Sequence, residues 1–307
     1  MLAKPEADRL GATSEVAAEE RPPRSVESPR DEWEILPRHP SIGGAIAEAW
    51  RYRRLVRFFA TRAVEKMYAR TVLGRLWLLI RPLLPVFVGA IVFGGLLRVG
   101  SDGRPYFLFF LVGSTLWSWF EGSLTWATRS LELNRKVLRR IYVPRLLLPI
   151  AMTAPALVEL GIRLGLIAVV ATFYAFTRDT TLAPLGRMPL AIVPLVLAHA
   201  LALGVGLFTS VIGMHTRDVR FGLGYVLSFA MFLSPVVYPM DVVPADHRWI
   251  AALNPMAGLL EAFRFCLLGT GAFQIGALVY AVVVATVLLA YGLRFFVRAE
   301  AAVLDRS

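Results

Sequence analysis

Six apolar stretches of roughly membrane-crossing length recur along the chain, and they constrain its fold more than any other feature. A hydrocarbon core of roughly 30 Å is crossed by an α-helix of about 20 apolar residues. Inside that core every backbone polar group has to be satisfied by the segment itself, which leaves the helix as the natural spanning unit. The stretches lie at about 72–97, 105–126, 147–176, 189–214, 222–238 and 273–296. They predict an all-α membrane protein with six transmembrane helices. Hydrophobic residues make up 57% of the sequence, against roughly 45–50% in soluble domains.

The threading is set by one short loop, residues 133–149, reading LNRKVLRRIYVPRLLLP. It carries Arg135, Lys136, Arg139, Arg140 and Arg145, with Arg129 just before it, and no other interhelical loop is as basic. Short loops rich in Lys and Arg stay on the cytoplasmic side. With six spans, both termini are then expected to be cytoplasmic. A net charge of +11 would suggest nucleic acid in a soluble protein. Here the charge flanks apolar spans, so lipid headgroups and orientation account for it, and no nucleic-acid partner is expected. A single cysteine, Cys266, allows no intrachain disulfide.

Residues 1–40 lack periodicity and large apolar side chains, so a disordered cytoplasmic tail is expected. They hold no apolar core of the signal-peptide kind, so no cleavage is expected. Over residues 41–70 a helix is predicted, with Ser41 as its N-cap. Ile42, Ile46, Ala49, Tyr52, Val56, Phe59, Ala63 and Met67 follow at steps of three or four and make one apolar face. Arg51, Arg53, Arg54, Arg57, Arg62 and Lys66 populate the rest. Such a helix is too charged to span and too apolar to float free, and is predicted to lie in the cytoplasmic interface. Residues 71–298 then form the six-span domain, with its basic loop at 128–146, and residues 299–307 a cytoplasmic tail.

Charges inside the spans are few. Arg75 and Arg81 stand near the start of the first span, beside Pro82 and Pro85, where a bend is expected. Arg81 either snorkels to headgroups or faces a polar conduit. Trp117, Trp119, Phe120 and Trp126 crowd one half of the second span, as an interfacial aromatic belt would. Glu159 and Arg163, four residues apart, are expected to pair and turn into the protein. His199 reads as a hydrogen-bonded core histidine, because no second metal ligand lies at helical spacing. Residues 239–271 are too apolar for a solvated loop and too broken for a straight span. Asn254-Pro255 marks a turn there, and Met256, Leu259, Leu260, Phe263 and Leu267 form a helical stripe. Two short re-entrant helices between spans five and six are predicted, which membrane depth tolerates only under cover of protein or a water-filled cavity.

No Gly-x-x-x-x-Gly-Lys-Ser/Thr occurs, so no P-loop nucleotide site is expected. No Cys/His cluster has metal spacing. Spans nearly free of carboxylates argue against a proton-coupled carrier and against a membrane-embedded transferase. Asp241, Asp246 and His247 read as solvated loop residues. Catalytic, cofactor-binding and metal-binding residues are therefore not expected, and the chain reads as a passage without an energy source of its own.

Three stretches resemble the permease subunits of type-two ABC exporters, in particular those that export polysaccharides. They are YARTVLGRLWLLIRPLLP at 68–85, RRIYVPR at 139–145 with Pro149, and Ser234-Pro235 with Tyr238-Pro239 followed by Asn254-Pro255-Met256 and Glu261-Ala262-Phe263-Arg264. Arg81 departs from the glutamine common before the first-span proline. The resemblance implies a homodimer joined to two copies of a separate ATPase subunit, which would bind the ATP and Mg. It implies that Arg135, Lys136, Arg139, Arg140, Tyr142, Pro144 and Arg145 form a coupling loop docked on that ATPase, with a second contact at 215–221. Residues 239–271 would form an outer gate, with Asn254, Pro255, Glu261 and Arg264 in it. The expected activity is export of a lipid-linked polysaccharide, whether O antigen, capsule, teichoic acid or cell-wall polymer, across a bacterial inner membrane. In that reading Arg51, Arg54, Arg57, Arg75 and Arg81 attract the lipid phosphate, and Trp77, Phe87, Phe232 and Tyr238 line the channel. The alternative is a related permease for a small amphiphile, a drug or a lipid.

Overall fold

The computed structural model describes residues 41–68, 76–140, 142–178, 183–271 and 273–304. Helices α1 (Ile42–Arg51) and α2 (Arg53–Tyr68) come first. Helix α3 (Trp77–Gly89) runs into a π-helical segment, Ala90–Leu96, and α4 (Tyr106–Leu133) follows a short turn. The basic loop holds α5 (Arg135–Leu138) and leads through α6 (Leu147–Ala151) into α7 (Ala154–Arg178). A 3-10 segment, Leu185–Ala191, opens α8 (Ile192–His215), and α9 (Asp218–Leu233) returns. Short α10 (Arg248–Ala252), α11 (Pro255–Leu268) and α12 (Ile275–Leu304) complete the described chain, which contains no strand among the described residues.

Among the described residues, four helical stretches are long and apolar enough to cross a membrane: Leu79–Leu96, Leu147–Thr177, Leu185–His215 and Ile275–Ala299. A fifth candidate is the pair Ala245–Ala252 and Pro255–Leu268, bent by 100° at its break. The other two predicted spans map to α4 and α9. Helix α4 has 28 residues, but Ser, Thr, Trp and Glu121 dilute its apolarity, which suits a helix surrounded by protein. It is the centre of the main core: Leu108, Leu111, Val112 and Leu116 are fully buried, with α7, α8 and α11 packed around them. Helix α9 has 16 residues, a rise of about 24 Å at 1.5 Å per residue. It stops at Leu233 rather than Tyr238 because Pro235 cannot donate into a continuing helix.

Other expectations change in detail. The helix at 41–68 is two helices meeting at Tyr52. Ser41 caps the first, its Oγ accepting from Gly44 N at 3.0 Å. Only part of the predicted apolar face is covered. Phe59 and Ala63 are buried, whereas Ile46 and Tyr52 of that face stand open. Helical backbone continues through Pro82 and Pro85, and the irregular turn comes after them. Trp117 and Trp119 are no interfacial belt: both are buried, and Trp119 Nε1 donates to the Leu195 carbonyl at 2.9 Å. Their indoles fill space between helices that lie inside the protein.

Two glycines allow a close approach of α8 and α12. A Cβ on Gly292 of α12 would fall 2.2 Å from the Gly204 carbonyl oxygen of α8, and one on Gly204 2.6 Å from the backbone of Leu288. Small residues at such crossings let membrane helices gain dispersion contacts along their backbones. Gly292→Ala is expected to cost about 1–3 kcal/mol through overpacking and to lower the thermal midpoint of the purified protein. Gly161→Ala, where a Cβ meets nothing within 4 Å, is expected to leave it unchanged or raise it.

A second core sits at the end carrying the basic loop. Phe59 of α2, Leu131 of α4, Val143, Leu147 and Leu148 around α6, Leu207 of α8 and Phe296 of α12 pack together there. It fastens the amphipathic helices and the basic loop to the same platform.

Candidate functional site

At this basic end, the loop 133–149 is compact. Asn134 ends α4 and donates from Nδ2 to the Ser130 carbonyl. Val143 and Pro144 are buried, and they hold the loop against the second core. Arg135, Arg139 and Arg145 converge with His215 on one cavity of about 170 Å³, floored by Leu131, Leu138, Val211, Met214 and Phe296. Lys136 and Arg140 are exposed outside it. Tyr142 points the other way, its hydroxyl donating to Glu48 Oε1 of α1 at 2.7 Å. The loop thus offers a basic, apolar-floored recess and a polar tie to the amphipathic helix. Glu132 pairs with Arg220, which joins the end of α4 to α9.

The opposite end is built around a buried arginine. Asn254 caps α11, with Oδ1 accepting from Met256 N at 3.0 Å, and Pro255 occupies the first turn. Asn254 Nδ2 also donates to Ser234 Oγ at 2.7 Å, so the cap grips the residue where α9 ends. Beyond that break the backbone at Val236 and Val237 is buried but not helical, so its carbonyls need donors from elsewhere. Arg264 Nη2 supplies one to Val236 O at 2.7 Å, and Tyr106 Oη one to Val237 O at 2.5 Å. Arg264 is fully buried, its guanidinium 3.8 Å from the centroid of the Phe109 ring and its Nη1 donating to Glu261 Oε1 at 3.2 Å. A Cβ on Gly113 would lie 2.6 Å from Arg264 Nη2 and 2.9 Å from the Val236 oxygen. The four predicted gate residues are therefore brought together, by Ser234, Tyr106, Phe109 and Gly113, none of which was singled out as a gate residue from sequence. Glu261 also faces a cavity of about 210 Å³ with Asp102, Asp241, Arg248, Trp249 and Tyr280. Burial pushes the Asp102 carboxyl up from the usual carboxylate range.

Between the ends, Arg163 donates to Glu159 Oε1 from Nε and Nη2 at 3.2 and 3.1 Å, as the spacing predicts. Glu121 of α4 and Arg81 of α3 lie close enough to interact with this pair electrostatically. His199 is a core residue, stacked on Trp119 with ring centroids 4.7 Å apart and hydrogen-bonded through Nδ1 to Ser123 Oγ at 3.1 Å.

The predicted lining residues divide. Trp77 and Phe87 of α3 and Phe232 of α9 are exposed, in apolar faces that include Leu84 and Val88 on α3, Ile91 in the π-helical segment that continues it, and Phe221, Tyr225 and Phe229 on α9. Tyr238 is half-buried, its hydroxyl donating to the Phe232 carbonyl at 3.2 Å. Of the predicted phosphate-attracting residues, Arg51, Arg54, Arg57 and Arg81 are exposed and share no cavity described here, and Arg75 lies outside the described residues.

The family model for the ABC-2 type transporter matches residues 54–268, which take in the basic loop and the bent helix pair at 245–268. The chain belongs to that family. It is a multi-pass membrane transport subunit. It is 24% identical over 221 residues to the O-antigen export system permease protein RfbA of Myxococcus xanthus, a match covering 71% of this chain and 82% of the relative. To two proteins of the same name from Klebsiella pneumoniae it is 26% and 27% identical over 199 residues, covering 64% of this chain and 73% of each relative.

Proposed function

We propose that this chain is the membrane-spanning subunit of an ATP-driven exporter that carries a lipid-linked polysaccharide from the cytoplasmic face of a bacterial inner membrane. The similarity to O-antigen export permeases over most of the chain carries the substrate class. In this reading two copies pair through the exposed apolar faces of α3 and α9, each chain crosses the membrane six times, and both termini are cytoplasmic. The basic recess around Arg135, Arg139 and Arg145 receives a separate ATPase subunit, which holds the nucleotide and Mg. Movement of that subunit shifts the basic loop and, through Tyr142 and Glu48, the amphipathic helix. The aromatic faces of Trp77, Phe87 and Phe232 offer flat, weakly selective surfaces to sugar C–H groups, so a long polymer can slide without being trapped. The clamp around Arg264 holds the outer gate.

The export reading is tested by deleting the gene and staining surface polysaccharide, and by co-purifying the tagged chain with its candidate ATPase. Loss of surface polysaccharide with cytoplasmic build-up of the lipid-linked polymer is expected, together with a stable complex that hydrolyses ATP. Unchanged surface polysaccharide, or no complex from a well-folded preparation, would remove the reading.

A further inference from the structure

A third cavity, of about 120 Å³, lies at the basic end between α2 and α4, beside α6. Its floor is apolar, formed by Phe59, Trp126 and Met152. Arg62, Lys66 and Arg129 line it as well, and no carboxylate does. Among the described residues none of these three cations takes part in an ion pair. Glu132, three residues beyond Arg129, is held by Arg220 instead. The cations are not free to drift apart, because Phe59 and Ala63 pin α2 into the second core.

Three like charges held around one apolar recess repel one another, and a ligand carrying negative charge relieves that repulsion. Arginine offers a planar fork that fits two phosphate oxygens, and lysine a compact point charge beside it. The apolar floor below favours hydrocarbon over a hydrated free ion. Neither feature alone defines a ligand, but together they match a phosphate ester on a long hydrocarbon chain.

We infer that Arg62, Lys66 and Arg129 bind the phosphate-ester headgroup of the lipid-linked cargo, with the first part of its hydrocarbon chain on Phe59, Trp126 and Met152. The inference rests on the proposed export of a lipid-linked polymer and gives that cargo a recognition site, distinct from the arginines predicted from sequence. It also puts cargo recognition on the same helix that packs against Val143 and Leu147 of the basic loop, so occupancy is felt next to the surface proposed for the ATPase.

The test uses the full chain with its ATPase in phosphatidylethanolamine nanodiscs, offered undecaprenyl phosphate, undecaprenol or phosphatidylglycerol, with bound lipid read by native mass spectrometry. Undecaprenyl phosphate is expected to be retained, and Arg62→Gln/Lys66→Gln/Arg129→Gln to weaken retention about tenfold or more. Arg51→Gln/Arg54→Gln/Arg57→Gln is expected to change it by less than about twofold, since those side chains stand apart from the cavity. Equal retention of undecaprenol, wild-type binding by the triple variant, or equally strong displacement by phosphatidylglycerol would each overturn the site. If the triple variant is not monodisperse, Arg129→Gln alone, on the well-packed α4, is expected to weaken retention about threefold, and an unchanged value overturns the site equally. The gene deletion separates the two ideas. Polysaccharide lost on deletion with binding unaffected by the cavity variants sinks only the site, whereas polysaccharide intact on deletion with cavity-dependent binding sinks only the export reading.

Discussion

Arg264→Met is expected to be the most damaging single substitution in the chain. It leaves Glu261 buried without its counter-charge and the Val236 carbonyl without a donor. Breaking a buried pair from one side costs about 3–5 kcal/mol, and an orphaned buried acceptor is of the order of 1–3 kcal/mol within that loss. A protein of ordinary marginal stability does not survive much of this, so little monodisperse protein is expected and export should be lost. The double variant Glu261→Leu/Arg264→Met is expected to recover part of the loss, because removing both charges leaves only the carbonyl unsatisfied. Thermal midpoints of the two single variants and the double variant close the cycle. Additive losses would show that the two side chains act independently, against the geometry of the clamp. Gly113→Ala is expected to reproduce a milder form, about 1–3 kcal/mol, by pushing Arg264 off the Val236 oxygen.

The same clamp marks where sequence reasoning reached and where it stopped. A proline one residue beyond a serine, an Asn-Pro pair, and Glu261 and Arg264 three apart are local patterns, and each has a local physical meaning. The turn at Asn254-Pro255 was read from them, whereas the cap and the pair were not drawn although the spacing allows both. That Arg264 points at a carbonyl 28 residues away and over the ring of Phe109 is tertiary, and nothing at helical spacing encodes it. A glycine in the middle of an apolar span, Gly113, was the one available hint that something large passes close by. The tryptophans of α4 failed for a related reason. Aromatic residues near a span end look alike whether lipid or protein surrounds them, and only the packing of α7 and α8 on α4 decides between the two. The span count blurred likewise, because α4 is sheltered by protein and need not be as apolar as a lipid-facing helix. At the basic end the sign of the charge was legible, but its division was not. Arg135, Arg139 and Arg145 close on one recess, Arg62, Lys66 and Arg129 on another, and Arg51, Arg54 and Arg57 on neither. That sorting depends on how α2 and α5 are rotated against the second core, which a list of basic residues does not contain.

The division at the basic end yields the second large effect. Arg135→Glu/Arg139→Glu/Arg145→Glu is expected to abolish the complex with the ATPase while leaving the chain folded. The three side chains reach solvent, so charge reversal costs little inside the subunit, where exposed charges contribute roughly 0–1 kcal/mol. Across an interface that covers them, each lost charge contact costs about 2–5 kcal/mol, and about 1.4 kcal/mol is already tenfold in affinity. Co-purification should therefore fall below detection. Lys136→Glu/Arg140→Glu, outside the recess, should weaken the complex far less. Tyr142→Phe makes a different break. It keeps the basic recess and removes the hydrogen bond to Glu48, so the complex should form and hydrolyse ATP while export slows. If instead the recess variant still bound the ATPase and the Lys136/Arg140 variant did not, the docking surface would be the outward face of α5. The recess would then be a structural fold of the loop, and the link through Tyr142 would have to carry force from a contact on the other side.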